Sequence, residues 1–256
     1  KTQIVGFQTK DFTKLSSKQI GNINTIAVAG ISTKQIKSLT SDQIKYGLTT
    51  DQITFLTTGQ LVKIQTVNIN LGIISSQLTA LSASQLKSFS TKQLIRFDSV
   101  QVSGIETSDL ILMETSQIKA FSTIAVVGLT TEQVSKISAS QVSSISTKVL
   151  SFMTTNQIPA INTLAIVGLT TKQIFGLSSS QIGNLKTNQI TEISTSQISA
   201  IQTRDISDGL VSNQITAMSA SQISGMTTKQ VIKLDSFHTI AIDTADISSL
   251  KTNQIK

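Results

Sequence analysis

Residues Leu169 to Asn184 read LTTKQIFGLSSSQIGN, one eight-residue phrase followed at once by a second of the same design. Laid out in eights, the whole chain repeats it: ISTKQIKS from Ile31, LTTDQITF from Leu48, LSASQLKS from Leu81, LTTEQVSK from Leu129, MSASQISG from Met218. Position one is Leu, Ile, Met or Phe. Position two is often Ser or Thr, and position three nearly always is. Position five is usually Gln, and position six is Ile, Val or Leu in almost every copy. About 32 copies fill the 256 residues, three of them lengthened by one residue ending at Gly47, Gly72 and Gly209. A fixed short period is the mark of a repeat architecture.

Each octad carries a helix-start signal. Ser or Thr at position two with Gln at position five is a capping box, in which the hydroxyl accepts from a free backbone N–H and the Gln reaches back to the cap's own N–H. Positions one and six then flank the first turn as a hydrophobic staple. Ten of the 13 glycines close a repeat, Gly128, Gly168 and Gly176 among them, which predicts left-handed C-caps. So each octad starts a helix, makes about one turn and stops. A continuous helix is excluded, because eight residues advance about 800°, roughly 80° past two full turns, and would smear the apolar positions around the axis. Pro159 at position seven agrees, since it would break a longer helix. A single turn has no stability alone. Positions one and six can be buried only by stacking repeats into a solenoid. The expected fold is therefore an all-α solenoid of single-turn helices, one continuous array over residues 1–256 and a fragment of a longer one. The rival is a β-solenoid, in which a turn inside the octad would bring positions one and six to the same face. Copies such as IETSDLIL and LKTNQITE keep Thr at position three but lose the cap at position two, so position three is a candidate cap there.

Copies without Gln at position five begin at Phe7, Ile23, Ile64, Ile105, Phe121, Ile145, Ile161, Ile201, Leu234 and Ile242. Apart from the copy at Leu234 they recur at steps of two, three or five octads. If they share one face, the coil holds about 2.5 octads, or roughly 20 residues. Several carry apolar residues where the consensus is polar: Ile26, Val28, Val67, Ile111, Ile124, Val127, Leu164 and Val167. Read as a stripe, these eight are candidate interface residues, because contiguous exposed apolar surface marks interaction sites. The bland reading is local repacking of a curved solenoid.

Composition narrows function further. Charged residues are 14% and aromatics 4%, with no Cys or Trp, one Pro and a net charge of +7. That excess does not point to a polyanion site: Lys18, Lys34, Lys92, Lys148, Lys172 and Lys229 recur at one octad position, spread along the chain with no basic run. Nucleic acid is not an expected partner. No stretch is apolar enough to insert in a membrane. His238, the only histidine, has Asp235 and Asp243 nearby but no positioned nucleophile, so no catalytic residue is assigned and the chain is not read as an enzyme. Asp109, Asp205 and Asp246 replace the Gln at position five and are read as helix caps. Each is isolated, whereas calcium needs about six oxygens, so no metal or cofactor is expected.

LTTEQVSK, LTTKQIFG and ISTSQISA resemble the long arrays of LTTxQVAAL-type repeats in very large bacterial surface and secreted proteins, some described as adhesin-like or haem-utilisation-like. The likeness spans the chain, with the Ala-rich tails replaced here by Ser, Lys and Gly. It implies a non-enzymatic spacer, extracellular or on the cell surface. It carries over no ligand residue and gives no support for haem. The expected role is a structural segment of a filament or adhesin stalk. Its partners would be other copies of itself or neighbouring domains of the same large protein. Two other classes compete. One is an ice- or glycan-binding array, although helical octads space their hydroxyls too widely for ice. The other is an intracellular peptide-gripping α-solenoid, which would show aromatic or charged hot spots; Tyr46 is the only tyrosine.

Overall fold

A computed structural model describes Ile4 and residues 6–255. Among these residues there is no strand, and short helices of three to six residues follow one another from end to end, which excludes the β-solenoid. The fold is an all-α solenoid of single-turn helices. Its contacts divide into two compact units, Lys1–Leu129 and Thr130–Lys256.

The caps lie where the octad puts them. In the copy at Leu48, Thr49 is the N-cap, its hydroxyl accepts from the Gln52 N–H at 3.1 Å, and Gln52 Oε1 accepts from the Thr49 N–H at 3.0 Å. Position two stays the N-cap even where its side chain cannot cap: Glu106 and Lys186 still precede helices that begin at Thr107 and Thr187. In these two copies position three is therefore not the cap; in the copy at Ile201 the residue before the helix is Thr203, at position three, and its side chain caps nothing. Positions one and six form the spine. Every position-one residue from Ile31 to Met226 and every position-six residue from Phe12 to Ile223 is buried. Pro159, which has no N–H to give, reduces its turn to the 3₁₀ segment Ile158–Ala160.

The coil contains three octads, not 2.5. In the first unit, Thr25–Val28, Thr50–Thr54, Ser75–Ala80, Ser99–Ser103 and Thr123–Val126 pack in succession as one column, each three octads after the last. Thr9–Phe12, Thr33–Ser38, Thr58–Leu61, Ala83–Lys87 and Thr107–Leu110 form a second. The third holds Ser17–Gly21, the π-turn Gln43–Gly47 and Ile69–Gly72, then Thr91–Leu94 and Thr115–Lys119. The second unit repeats this three-column plan, with Thr147–Leu150, Thr171–Phe175, Thr195–Ser199, Ala220–Gly225 and Thr244–Ser249 as one of its columns. The inference of 2.5 fails because the copies without Gln do not share a face. In the first unit those at Ile23 and Phe121 lie in the first column, Ile64 in the third and Ile105 in the second.

Coils are tied by the Gln at position five. Its carbonyl end closes its own capping box, and its amide end reaches the previous coil. Gln52 Nε2 donates to the Ile23 carbonyl at 2.6 Å and to Ile20 at 3.0 Å. Gln60, Gln77, Gln173 and Gln214 likewise donate to Ile31, Leu48, Ile145 and Leu185, in each case the position-one carbonyl three octads earlier. One buried side chain thus satisfies a free N–H at its own helix start and free carbonyls at a helix end below, the two classes of backbone group that short helices leave without partners. Removing it should be costly. Gln101→Leu would strand the Asp98 N–H and the Ile69 and Ile73 carbonyls, at about 1–3 kcal/mol for each buried group left unpaired. A fall of about 2 kcal/mol or more in denaturant-derived stability is expected, and an unchanged midpoint would refute the bracket.

Glycines at octad ends do not act as left-handed caps. No glycine among the described residues has positive φ, and Gly176 sits at φ −84°, ψ −6°. The requirement at several of them is room. A Cβ on Gly168 would lie 2.5 Å from the Ala139 carbonyl oxygen, and one on Gly104 2.8 Å from the Ser75 Cα. Both neighbours are position-three residues three octads earlier. Position three is Thr, Ser or Ala in every octad from Phe7 onward, because the end of a later octad lands on it. Its hydroxyl can also bond elsewhere on that later octad, as Ser17 Oγ donates to the carbonyl of Asp42, at position four, at 3.0 Å.

Candidate functional site

Several of the copies lacking Gln join their coil to the previous one through other side chains. In the copy at Ile161, Asn162 at position two caps with Oδ1, accepting from the Ala165 N–H at 2.9 Å, and donates Nδ2 to the Ser135 and Ile137 carbonyls. Asn68 donates to the Leu39 carbonyl and Gln202 to that of Phe175. His238 occupies position five of its octad and takes over both ends: Nε2 lies 2.9 Å from the Leu210 carbonyl and Nδ1 3.3 Å from the Asp235 N–H. The ring is buried, and Nδ1 is also 2.7 Å from Asp235 Oδ1. The only histidine is therefore a structural clasp. The His238 N–H, with the ring and the Phe237 N–H, holds the Asp235 carboxyl below the usual carboxylate range. Its contribution is present above the unfolded-state pKa and lost as pH falls through the lowered one.

Asp109, Asp205 and Asp246 do not cap. Asp205 is buried and accepts from the Ser179 hydroxyl of the previous coil at 2.6 Å, beside Arg204 at 3.4 Å. No side-chain bond caps the Asp109 helix, and the Asp246 N–H is itself a donor to Asp243. An Asp is one methylene too short to turn back to its N-cap N–H as Gln does. Partial burial, then the neighbouring Glu106, raises the Asp109 pKa; burial, then Asp243, raises that of Asp246. Among the described residues no cluster of His, Asp and Glu could hold a metal ion, and no helix is long and apolar enough to cross a membrane.

What remains is surface. Of the eight candidate interface residues, Val28 is a correction: it is fully buried, because it occupies position six and belongs to the spine. Ile26, Val67, Ile124 and Leu164 at position four and Ile111, Val127 and Val167 at position seven are exposed, Leu164 most of all at 84%. Positions four and seven are one turn apart, so Ile124 with Val127 and Leu164 with Val167 make apolar pairs on their own helices. They do not form the single stripe expected. In the first unit Ile26, Ile124 and Val127 lie on the first column, Val67 on the third and Ile111 on the second; Leu164 and Val167 lie in the second unit.

The columns of the first unit differ sharply in charge. The five octads of the first column, INTIAVAG, LTTDQITF, IISSQLTA, FDSVQVSG and FSTIAVVG, contain no Lys or Arg. They expose Ile26, Phe55, Val100, Ile124 and Val127. The second column carries Lys10, Lys14, Lys34, Lys37, Lys63 and Lys87, all exposed. The third carries Lys18, Lys45, Lys92, Arg96 and Lys119. Phe55 and Val100 were missed in the sequence because their octads keep the Gln at position five.

Residues 102–139 match the model of the ALTTAQ repeat family. The chain is similar to that family over this stretch, which includes the octad LTTEQVSK. No curated protein matches the chain.

Proposed function

We propose that the chain is a non-enzymatic structural segment of a bacterial extracellular filament or adhesin stalk, and that copies associate through the cation-free column of the first unit. The observation that supports a structural role is how the unusual side chains are used. His238, Asp205, Asn162 and nearly every Gln at position five are committed to joining one coil to the next. The repeat-family match points the same way. The resemblance of LTTEQVSK and its neighbours to surface-protein arrays supports the extracellular setting.

Self-association is drawn to the first column by charge. Two copies meeting through it bury Ile26, Phe55, Val100 and Ile124 without desolvating an ammonium group, whereas the lysine-bearing columns would repel their own kind. Sedimentation of the full chain over a range of concentrations should show a rising weight-average mass. Val100→Lys with Ile124→Lys should hold the chain monomeric while its helical circular dichroism stays unchanged. A parent that is monomeric throughout, or a double variant that still assembles, would refute this interface. Antibody labelling of intact cells tests location: a signal seen only after lysis would exclude the surface.

A further inference from the structure

The lysines of the first unit look scattered in the sequence and are gathered in the fold. Because every third octad shares a column, Lys10 and Lys14, Lys34 and Lys37, Lys63 and Lys87 occupy four successive layers of the second column. Among the described residues the ion pairs are Arg204–Asp205 and His238–Asp235, and none of the six lysines forms one there. Over those four layers the column's octads hold one acid, Asp11. Lys34, Lys37 and Lys63 line an open groove of about 450 Å³, together with Thr33, Gln65 and Thr66. The Gln65 amide is spent on the Lys37 carbonyl at 2.7 Å, which fixes the groove wall and leaves the ammonium groups and two hydroxyls as its donors.

We propose that this column binds a linear polysaccharide bearing sulfate or phosphate ester groups, gripped at the groove by Lys34, Lys37 and Lys63. Stacked helices are spaced about 8–10 Å, so the lysines form a ladder of positive charge along the column. A charged polysaccharide, with its anionic groups repeated along an extended chain, can engage several rungs at once. A single small anion cannot. Binding would be driven by release of the polymer's condensed counterions and would weaken steeply with salt. Single-stranded nucleic acid is the poorer fit. Its generic recognition adds aromatic platforms for the bases, and this groove has none.

The test uses the full chain, immobilised heparin fragments as the sulfated probe and phosphorylated dextran as the phosphate probe. Two variants carry the same loss of three charges: Lys34→Gln/Lys37→Gln/Lys63→Gln in the groove, and Lys92→Gln/Arg96→Gln/Lys119→Gln on the third column. The groove variant should lose roughly tenfold or more in affinity near physiological salt, with a salt dependence shallower by about two to three contacts. The third-column variant should lose clearly less. Preference for one probe over the other identifies the ester, and binding to either supports the proposal. Equal losses in the two variants would reduce the effect to net charge and overturn it. So would failure of the parent to bind either probe, or competition by a thymidine oligonucleotide as effective as by heparin. Since all six substituted residues are solvent-facing cations, both variants should keep the parent's helical spectrum and melting temperature.

Discussion

Replacing Ile174 with Asp should unfold the coils around it. Ile174 is at position six of LTTKQIFG and 1% exposed. Its helix, Thr171–Phe175, packs between Thr147–Leu150 below and Thr195–Ser199 above. The substitution removes a buried aliphatic side chain, worth about 2–5 kcal/mol for a large-to-small change in a core, and adds a carboxylate with no partner in the spine, which adds to that cost. A one-turn helix has no reserve of its own, since each repeat in such an array is stabilised by its neighbours. Local failure should therefore spread to the octads stacked on it. Hydrogen exchange should show lost protection from the copy at Ile145 to the copy at Ile193. Leu169→Asp should behave the same way, as Leu169 is the buried position-one partner. Lys172→Ser, two residues away and exposed, should change stability by no more than about 0.5 kcal/mol. An Ile174→Asp protein that melts with the parent would remove position six from the core.

The difference between Ile174 and Lys172 could be read from the sequence, and the reasons show where such reading stops. Capping boxes and staples are local: every group they satisfy lies within six residues, so LTTKQIFG specifies its own helix start and buried face. The period of the coil is not local. It is set by which octad the Gln amide can reach, and nothing within an octad records that Gln173 donates to Ile145 rather than to a nearer carbonyl. Reading the copies without Gln as a face gave the wrong count, because Asn162 makes the same bond from position two and Asn68 makes it from position five, so the loss of Gln carries no information about sidedness. The error passed on to the site. With 2.5 octads per coil, Ile26, Val67 and Ile111 fall on one line; with three they fall on three columns. Val28 failed for a simpler reason, since position six is spine in every copy from Phe12 to Ile223 whatever its neighbours. The charge asymmetry was hidden likewise. Lys34 and Lys63 are 29 residues apart in the chain and share a groove only once the coil is closed.

Gly128→Ala and Gly59→Ala should shift stability in opposite directions. Both remove a glycine with ordinary negative φ, so neither effect comes from a conformation that only glycine adopts. Gly128 ends the copy at Phe121 and lies against the backbone of Ser99, three octads earlier; an added Cβ would meet the Ser99 carbonyl oxygen and Cα at closer than any normal approach. Main chain cannot swing aside as a side-chain tip can. The layers of the first column would have to separate, at about 1–3 kcal/mol for forced overpacking of this kind. Gly59 is the second residue of Thr58–Leu61 and faces open space, its added Cβ meeting only the Thr57 hydroxyl at 3.9 Å. There the gain is the ordinary one, about 0.5–1 kcal/mol, because Ala has the higher helix propensity and loses less backbone freedom on folding. Chemical denaturation of the two variants beside the parent gives the sign of each. A Gly128→Ala protein as stable as the parent would mean that the column is looser than the packing of Gly128 on Ser99 requires. It would also remove the explanation for the uniformly small residue at position three, the point on which the end of a later octad comes to rest.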